Sequence, residues 1–216
     1  MKKLVSIISI ITILIGVIGF SQSRKELKQI QKWLKSVGLR YTIHDLKRLK
    51  GLLLQSMQVK SLPKEIGSLE NIKYLQVDRN QLKSLPKEIG NLKNLQRLNL
   101  YGNQLKSLPK EIGNLENLES FYAGENQLKS LPKEIGNLKN LKVLSLHKNQ
   151  LKSLPKEIGN LENLLTLSLQ NNNLKSLPKE IGNLENLKVL HLEKNPITED
   201  KVEKIEELLP DCKIYH

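Results

Sequence analysis

Between Leu62 and Ile197 the pattern of apolar and polar positions repeats every 23 residues. One turn of it, read in the second copy, places apolar side chains at Leu85, Ile89, Leu92, Leu95, Leu98, Leu100 and Leu105. The local period changes within the turn. "LNL" (Leu98–Leu100) alternates, as a short strand with one buried face does. "PKEIG" (Pro86–Gly90) opens on a proline, which fixes φ and bends the chain away from the strand. It predicts a single turn of helix or 3-10 helix on the opposite side. Gly90 and its equivalents are expected to permit a backbone that other residues resist. One such turn cannot bury its apolar positions against itself, so the stacked array is the folding unit.

The repeat is unevenly fixed. "SLPKEIG" occurs letter for letter six times, beginning at Ser61, Ser84, Ser107, Ser130, Ser153 and Ser176. Between the copies lie windows that differ: "YLQVDR", "RLNLYG", "SFYAGE", "VLSLHK", "TLSLQN" and "VLHLEK". Each window is followed by an asparagine: Asn80, Asn103, Asn126, Asn149, Asn172 and Asn195. An amide buried at every turn needs partners, and it can both donate to and accept from the backbone of neighbouring turns.

"LQRLNLYGNQL" (Leu95–Leu105) follows the leucine-rich repeat pattern L-x-x-L-x-L-x-x-N-x-L. The 23-residue form with "LPKEIGNLKNL" resembles the bacterial leucine-rich repeat proteins of leptospires. The resemblance implies an α/β fold: a right-handed solenoid arc with a concave parallel β-sheet and short helical or 3-10 turns on its convex side. Helical N- and C-terminal caps complete it.

The ends of the array need covers, because an open solenoid end is an apolar surface. Residues 24–61 read as an N-terminal cap plus a decayed repeat. "RKELKQIQKWLKSVG" places Leu27, Ile30, Leu34 and Val37 on one helical face, with Trp33 expected to pack on the first turn. Ile43, Leu46, Leu49, Leu52, Leu54 and Val59 then fall in register with the repeat, but Met57 stands where the asparagine belongs. Six repeats occupy residues 62–199, and residues 200–216 form a C-terminal cap. Just before that cap, Thr198 is expected to cap a helix ended by Pro210, and "CKIYH" to add a last strand. Residues 1–23 stand apart. Lys2 and Lys3 precede an uncharged apolar run from Leu4 to Phe20, then Ser21 and Ser23. This is the layout of a signal peptide, with an uncleaved membrane anchor as the alternative. Either way the expected destination is outside the cytoplasm: secreted, periplasmic or at the cell surface.

Charge changes the picture only in part. The net charge is +13, but it is distributed by the repeat. One lysine row runs Lys60, Lys83, Lys106, Lys129, Lys152, Lys175, and another runs Lys64, Lys87, Lys110, Lys133, Lys156, Lys179. Such rows could attract a glycosaminoglycan-like polyanion by charge alone. They lack the interleaved aromatic residues that base recognition wants, so no specific nucleic-acid partner is expected. Cys212 is the only cysteine, which excludes an intramolecular disulfide. A residue type present in every turn is a poor catalytic candidate. No H-E-x-x-H, G-x-S-x-G or phosphate-cradling glycine loop occurs. His147 and His191 fall two turns apart in different columns, which does not suit a shared metal. No catalytic activity, metal or other cofactor is expected.

The differing windows remain. Their outward positions form three columns across the expected sheet. The first runs Gly51, Tyr74, Arg97, Ser120, Val143, Thr166, Val189; the second Leu53, Gln76, Asn99, Tyr122, Ser145, Ser168, His191; the third Gln55, Asp78, Tyr101, Gly124, His147, Gln170, Glu193. Tyrosine and arginine are enriched in binding hot spots, and Tyr74, Arg97, Asn99, Tyr101 and Tyr122 fall on three adjacent turns. These five, with Gln76, Asp78, His147 and His191, are the candidate contacts for a protein partner on the concave face. By the family resemblance, that partner could be a host cell-surface or extracellular-matrix protein. The alternatives are a polyanion on the lysine rows and a structural role as an anchored envelope protein.

Overall fold

The computed structural model describes residues 24–216. The signal peptide or anchor expected over 1–23 lies outside the described residues. Eight three-residue strands form one parallel sheet in sequence order, β1-β2-β3-β4-β5-β6-β7-β8. They are β1 (Gly51–Leu53), β2 (Tyr74–Gln76), β3 (Arg97–Asn99), β4 (Ser120–Tyr122), β5 (Val143–Ser145), β6 (Thr166–Ser168), β7 (Val189–His191) and β8 (Lys213–Tyr215). From β1 to β7 the register advances by one repeat per strand, as in Tyr74↔Arg97 and Arg97↔Ser120. At the end it advances by one residue more, pairing Val189 with Lys213. Opposite the strands, each "PKEIG" forms a 3-10 turn, from Lys64–Ser68 to Lys179–Asn183. The middle residue of β1 to β7 is buried, that of β8 (Ile214) partly so, and their neighbours face outward, so the fold is an α/β leucine-rich repeat solenoid.

Helix α1 (residues 24–36) covers the first turn, with Leu27, Ile30 and Leu34 buried and Trp33 packed against the core. Helix α2 (Ile43–Arg48) takes the place of a 3-10 turn in the decayed repeat. Thr42 and Asp45 close a reciprocal capping box at its start. Helix α3 (Glu199–Leu208) covers the last turn through Val202 and Ile205. Thr198 stands at its N-cap position, yet its side chain makes no capping hydrogen bond, contrary to expectation.

Two asparagine ladders hold the turns in register. In the buried one, the Asn126 amide donates to the carbonyls of Leu100, Ala123 and Gly124 at 3.0, 3.2 and 3.1 Å, and its Oδ1 accepts from the Leu105 N–H at 2.9 Å. The sequence pattern does not single out the second ladder. Asn71, Asn94, Asn117, Asn140, Asn163 and Asn186 each donate at 2.8–2.9 Å to a carbonyl one turn back. It lies at the surface, where a hydrogen bond competes with water and contributes less.

The repeat glycines serve a different purpose from the one expected. None of those in "PKEIG" has a positive φ. They are needed for close approach instead. A Cβ on Gly90, Gly113, Gly136 or Gly159 would stand within about 2.2–2.4 Å of the next turn's glutamate carbonyl oxygen. Left-handed backbone occurs elsewhere, at the residue before each ladder asparagine: Arg79, Gly102, Glu125, Lys148, Asn171 and Lys194 have φ between 51° and 65°. That conformation costs most non-glycine residues on the order of 1 kcal/mol; Gly102 escapes the cost, and asparagine, as at Asn171, bears less of it.

Candidate functional site

The outward positions of β2 to β8, with the residues just after each strand, form the concave face. Parallel register brings side chains of neighbouring turns to about 4.8 Å spacing. Two contacts organise the middle of the face. The Arg97 guanidinium lies over the Tyr122 ring, 4.9 Å from its centroid. The Tyr101 and His147 rings meet at 5.7 Å between centroids, inclined at 34°. These two residues sit two turns apart, and the residue between them in the column is Gly124. A side chain there would collide with the imidazole, since an ideal Cβ lies 2.5 Å from His147 Cε1. The absent side chain is what lets the rings approach.

The cluster is fastened at its edges. Asn99 Oδ1 accepts from the Tyr101 N–H at 3.1 Å, and Ser145 Oγ lies 2.9 Å from His147 Nδ1. The Glu125 carboxylate beside the Tyr101 hydroxyl raises the phenol pKa. Glu125 also accepts from Lys148, and that bond, more than the tyrosine, holds its carboxyl below the usual range. The same bond pushes the Lys148 ammonium up. Burial pushes the His147 pKa down, against a smaller pull from Glu125 in the other direction. At neutral pH the cluster therefore holds a neutral phenol, a neutral imidazole and a compensated ion pair. Rings held by neighbours lose little freedom on binding, which favours affinity.

The other candidates are dispersed. Tyr74 is 44% exposed and lies beside Gly51 at the N-terminal end of the face. Gln76 is half-buried. Asp78 is only 5% exposed, so it offers a partner almost no surface, in contrast to its expected role. His191 lies apart, stacked on Tyr215 with centroids 4.6 Å apart and planes 8° from parallel. Its Nδ1 is 3.1 Å from Glu193 Oε1. Sequence reading missed Gly124, Glu125, Lys148, Lys213 and Tyr215. A signal existed for Glu125 and Lys148, which are opposite charges one period apart. Tyr215 was hidden because the last strand is offset by one residue from the repeat. Among the described residues no group of three or more His, Cys, Asp or Glu side chains could hold a metal ion.

A family model described as "Leucine-rich repeat region" matches residues 26–144 and 133–209. The chain belongs to the leucine-rich repeat family. Among solved structures, a leucine-rich repeat protein of Leptospira interrogans is 44% identical over 81% of this chain, with a TM-score of 0.64. An internalin of Listeria monocytogenes is 27% identical over 80% of the chain and 48% of its own, at a TM-score of 0.68. The plant peptide hormone receptor RGFR1, solved in complex with RGF2, is 33% identical over 78% of the chain and 28% of its own, at 0.67. The chain spans about half the length of the Leptospira protein. No curated protein matches it. The shared feature of these relatives is the solenoid, so the leucine-rich repeat chain inherits a scaffold from the comparison. What it carries on the concave face is read from its own residues.

Proposed function

We propose that this leucine-rich repeat protein is a non-catalytic, exported or surface-associated module that recognises a protein partner through its concave face. The observation that carries the reading is the Arg97–Tyr122 and Tyr101–Gly124–His147 cluster. Large amphipathic side chains are gathered on one face by residues that differ from turn to turn. They are held in place before any partner arrives, as binding hot spots are. The plant peptide hormone receptor RGFR1, solved in complex with RGF2, has a similar architecture and supports the reading of a binding module. Export rests on the apolar leader, and a host cell-surface or matrix protein as partner rests on the likeness to leptospiral proteins.

The test is affinity capture from host-cell surface extract by the intact chain and by a Tyr74→Ala, Tyr101→Ala, Tyr122→Ala variant, at low and at physiological salt. A protein held at both salts and lost with the variant supports concave recognition, provided both baits unfold at similar denaturant midpoints. Capture that disappears with salt and ignores the tyrosines overturns the reading. It would assign binding to the lysine rows, whose members are exposed and, among the described residues, form none of the observed ion pairs.

A further inference from the structure

Two carboxylates of the concave face are paired with lysines within the protein. Glu119 pairs with Lys142 at 2.8 Å and Glu125 with Lys148, while Glu193 Oε1 lies 3.1 Å from His191 Nδ1, a partner that is charged only when protonated. Asp78 is nearly buried. Several cations of the same face have no such partner among the described residues: Lys73, Arg97, Lys188 and Lys213. They are not scattered. Lys73 precedes β2 and Arg97 opens β3, its guanidinium over Tyr122. Lys188 precedes β7 and Lys213 opens β8, its ammonium 4.8 Å from the centroid of Tyr215. The same corner, two cations on adjacent strands beside a tyrosine, is built once toward each end of the sheet.

Between the corners the floor is small and weakly polar: Val143, Ser145, Thr166, Ser168 and Val189. On the lip beside it, Leu165 stands where the turns on either side have Lys142 and Lys188, and it is 41% exposed. The middle of the face therefore suits apolar side chains, while the two ends suit negative charge.

We propose that the segment seated on the concave face is an acidic, extended polypeptide lying across the strands, with carboxylates at the two corners and apolar side chains between them. This deepens, and rests on, the reading of the concave face as the binding surface. The length follows from the fold. Arg97 and Lys213 are five strands apart in one column, about 24 Å at about 4.8 Å per strand. An extended chain at about 3.4 Å per residue covers that distance in about seven residues. Charge complementarity of this kind fixes register and speeds encounter, while the central contacts sustain binding at physiological salt. A sulphated polysaccharide would satisfy the corners but would leave the Val143–Val189 floor and Leu165 without an apolar partner.

A random dodecapeptide display library, panned on the full chain at physiological salt, tests this. Three proteins are compared: the wild type, an Arg97→Glu, Lys213→Glu variant, and a convex control of equal charge change, Lys110→Glu, Lys133→Glu. The expected result is enrichment of peptides with acidic residues about seven positions apart and apolar residues between. Recovery on the concave variant should fall at least tenfold, with the control unaffected. Neutral or basic winners, or no enrichment, overturn the proposal. Acidic winners without the spacing, lost on the convex control instead, also overturn it and assign anion binding to the lysine rows. Any of these failures leaves concave protein recognition standing if the tyrosine variant still loses its captured protein; if it does not, the underlying reading has failed as well.

Discussion

Within the repeat unit that begins at Ser107, two faces treat side chains in opposite ways. On the convex side Gly113 approaches the next turn so closely that a Cβ would stand 2.3 Å from the Glu134 carbonyl oxygen. On the concave side Tyr122 is half-buried, with Arg97 across its ring. The convex turn is narrow because its backbones touch, and it admits no variation at Gly113, Ile112 or Leu115. The concave strand presents Ser120 and Tyr122 to solvent, and their equivalents differ from turn to turn. Invariance within the array therefore has a mechanical cause at the glycine, the isoleucine and the leucines. Nothing in the structure explains why the exposed Ser107 and Lys110 are equally unvarying across the six copies.

The largest expected effect breaks the convex contact. Gly113→Ala should lower stability by about 3 kcal/mol, because the backbone it meets cannot swing aside as a side chain would. Gly182→Ala provides the comparison at the equivalent position of the last motif copy. Gly182 has no further repeat beside it, and its nearest neighbours are Leu208 Cδ2 at 3.2 Å and Cβ at 3.3 Å. That substitution should cost under about 1 kcal/mol, since the leucine can shift. Denaturant midpoints decide it, and equal losses for the two variants would refute close approach as the reason for the glycines.

The next effect separates the two ladders. Asn126→Ala leaves the buried Leu105 N–H without its acceptor and takes from the Leu100 carbonyl one of its two amide donors, the other being Asn103, and should cost about 1–3 kcal/mol. Asn117→Ala removes one exposed bond, to the Lys93 carbonyl at 2.8 Å, which water can replace. It should cost about 0.5–1 kcal/mol. A midpoint for Asn126→Ala matching the wild type would remove the buried ladder from any account of the fold's stability.

The same contrast explains what was legible in the sequence. Strands, 3-10 turns and the buried asparagines repeat six times, so each copy of the pattern is corroborated by five others. Phe121 and Ala123 stand where neighbouring turns carry two leucines, a large–small exchange, and both are fully buried. Close approach at the glycines was not legible, because a glycine's letter does not distinguish a positive φ from a crowded neighbour. The concave cluster was legible only as columns. That Tyr101 meets His147 depends on Gly124 lacking a side chain, and a column of outward letters does not show rings leaning across it. The pairing of Glu125 with Lys148 also lay outside the three columns. Its position follows from the left-handed backbone at both residues, which sequence periodicity does not report.

The smallest effect belongs to the concave side and concerns pH. Burial lowers the His147 pKa from its ordinary 6.5, so the folded protein takes up a proton there less readily than the unfolded chain. Where the unfolded state binds more protons, stability rises with pH. The contribution is therefore fully present above about pH 6.5, and it is lost as pH falls from there toward the lowered folded value. Glu125 belongs to a separate window. Its carboxyl is held below 4.5, so its contribution persists through pH 5 and is lost only under more acidic conditions. Denaturant midpoints at pH 7 and pH 5 should thus fall less in His147→Gln than in the wild type, while the loss below pH 4.5 stays common to both. An identical decline in the two proteins between pH 7 and 5 would mean that the imidazole over Gly124 is solvated well enough to accept its proton freely. The ring contact with Tyr101 would then be a surface arrangement of mobile side chains rather than a prepared part of the binding face.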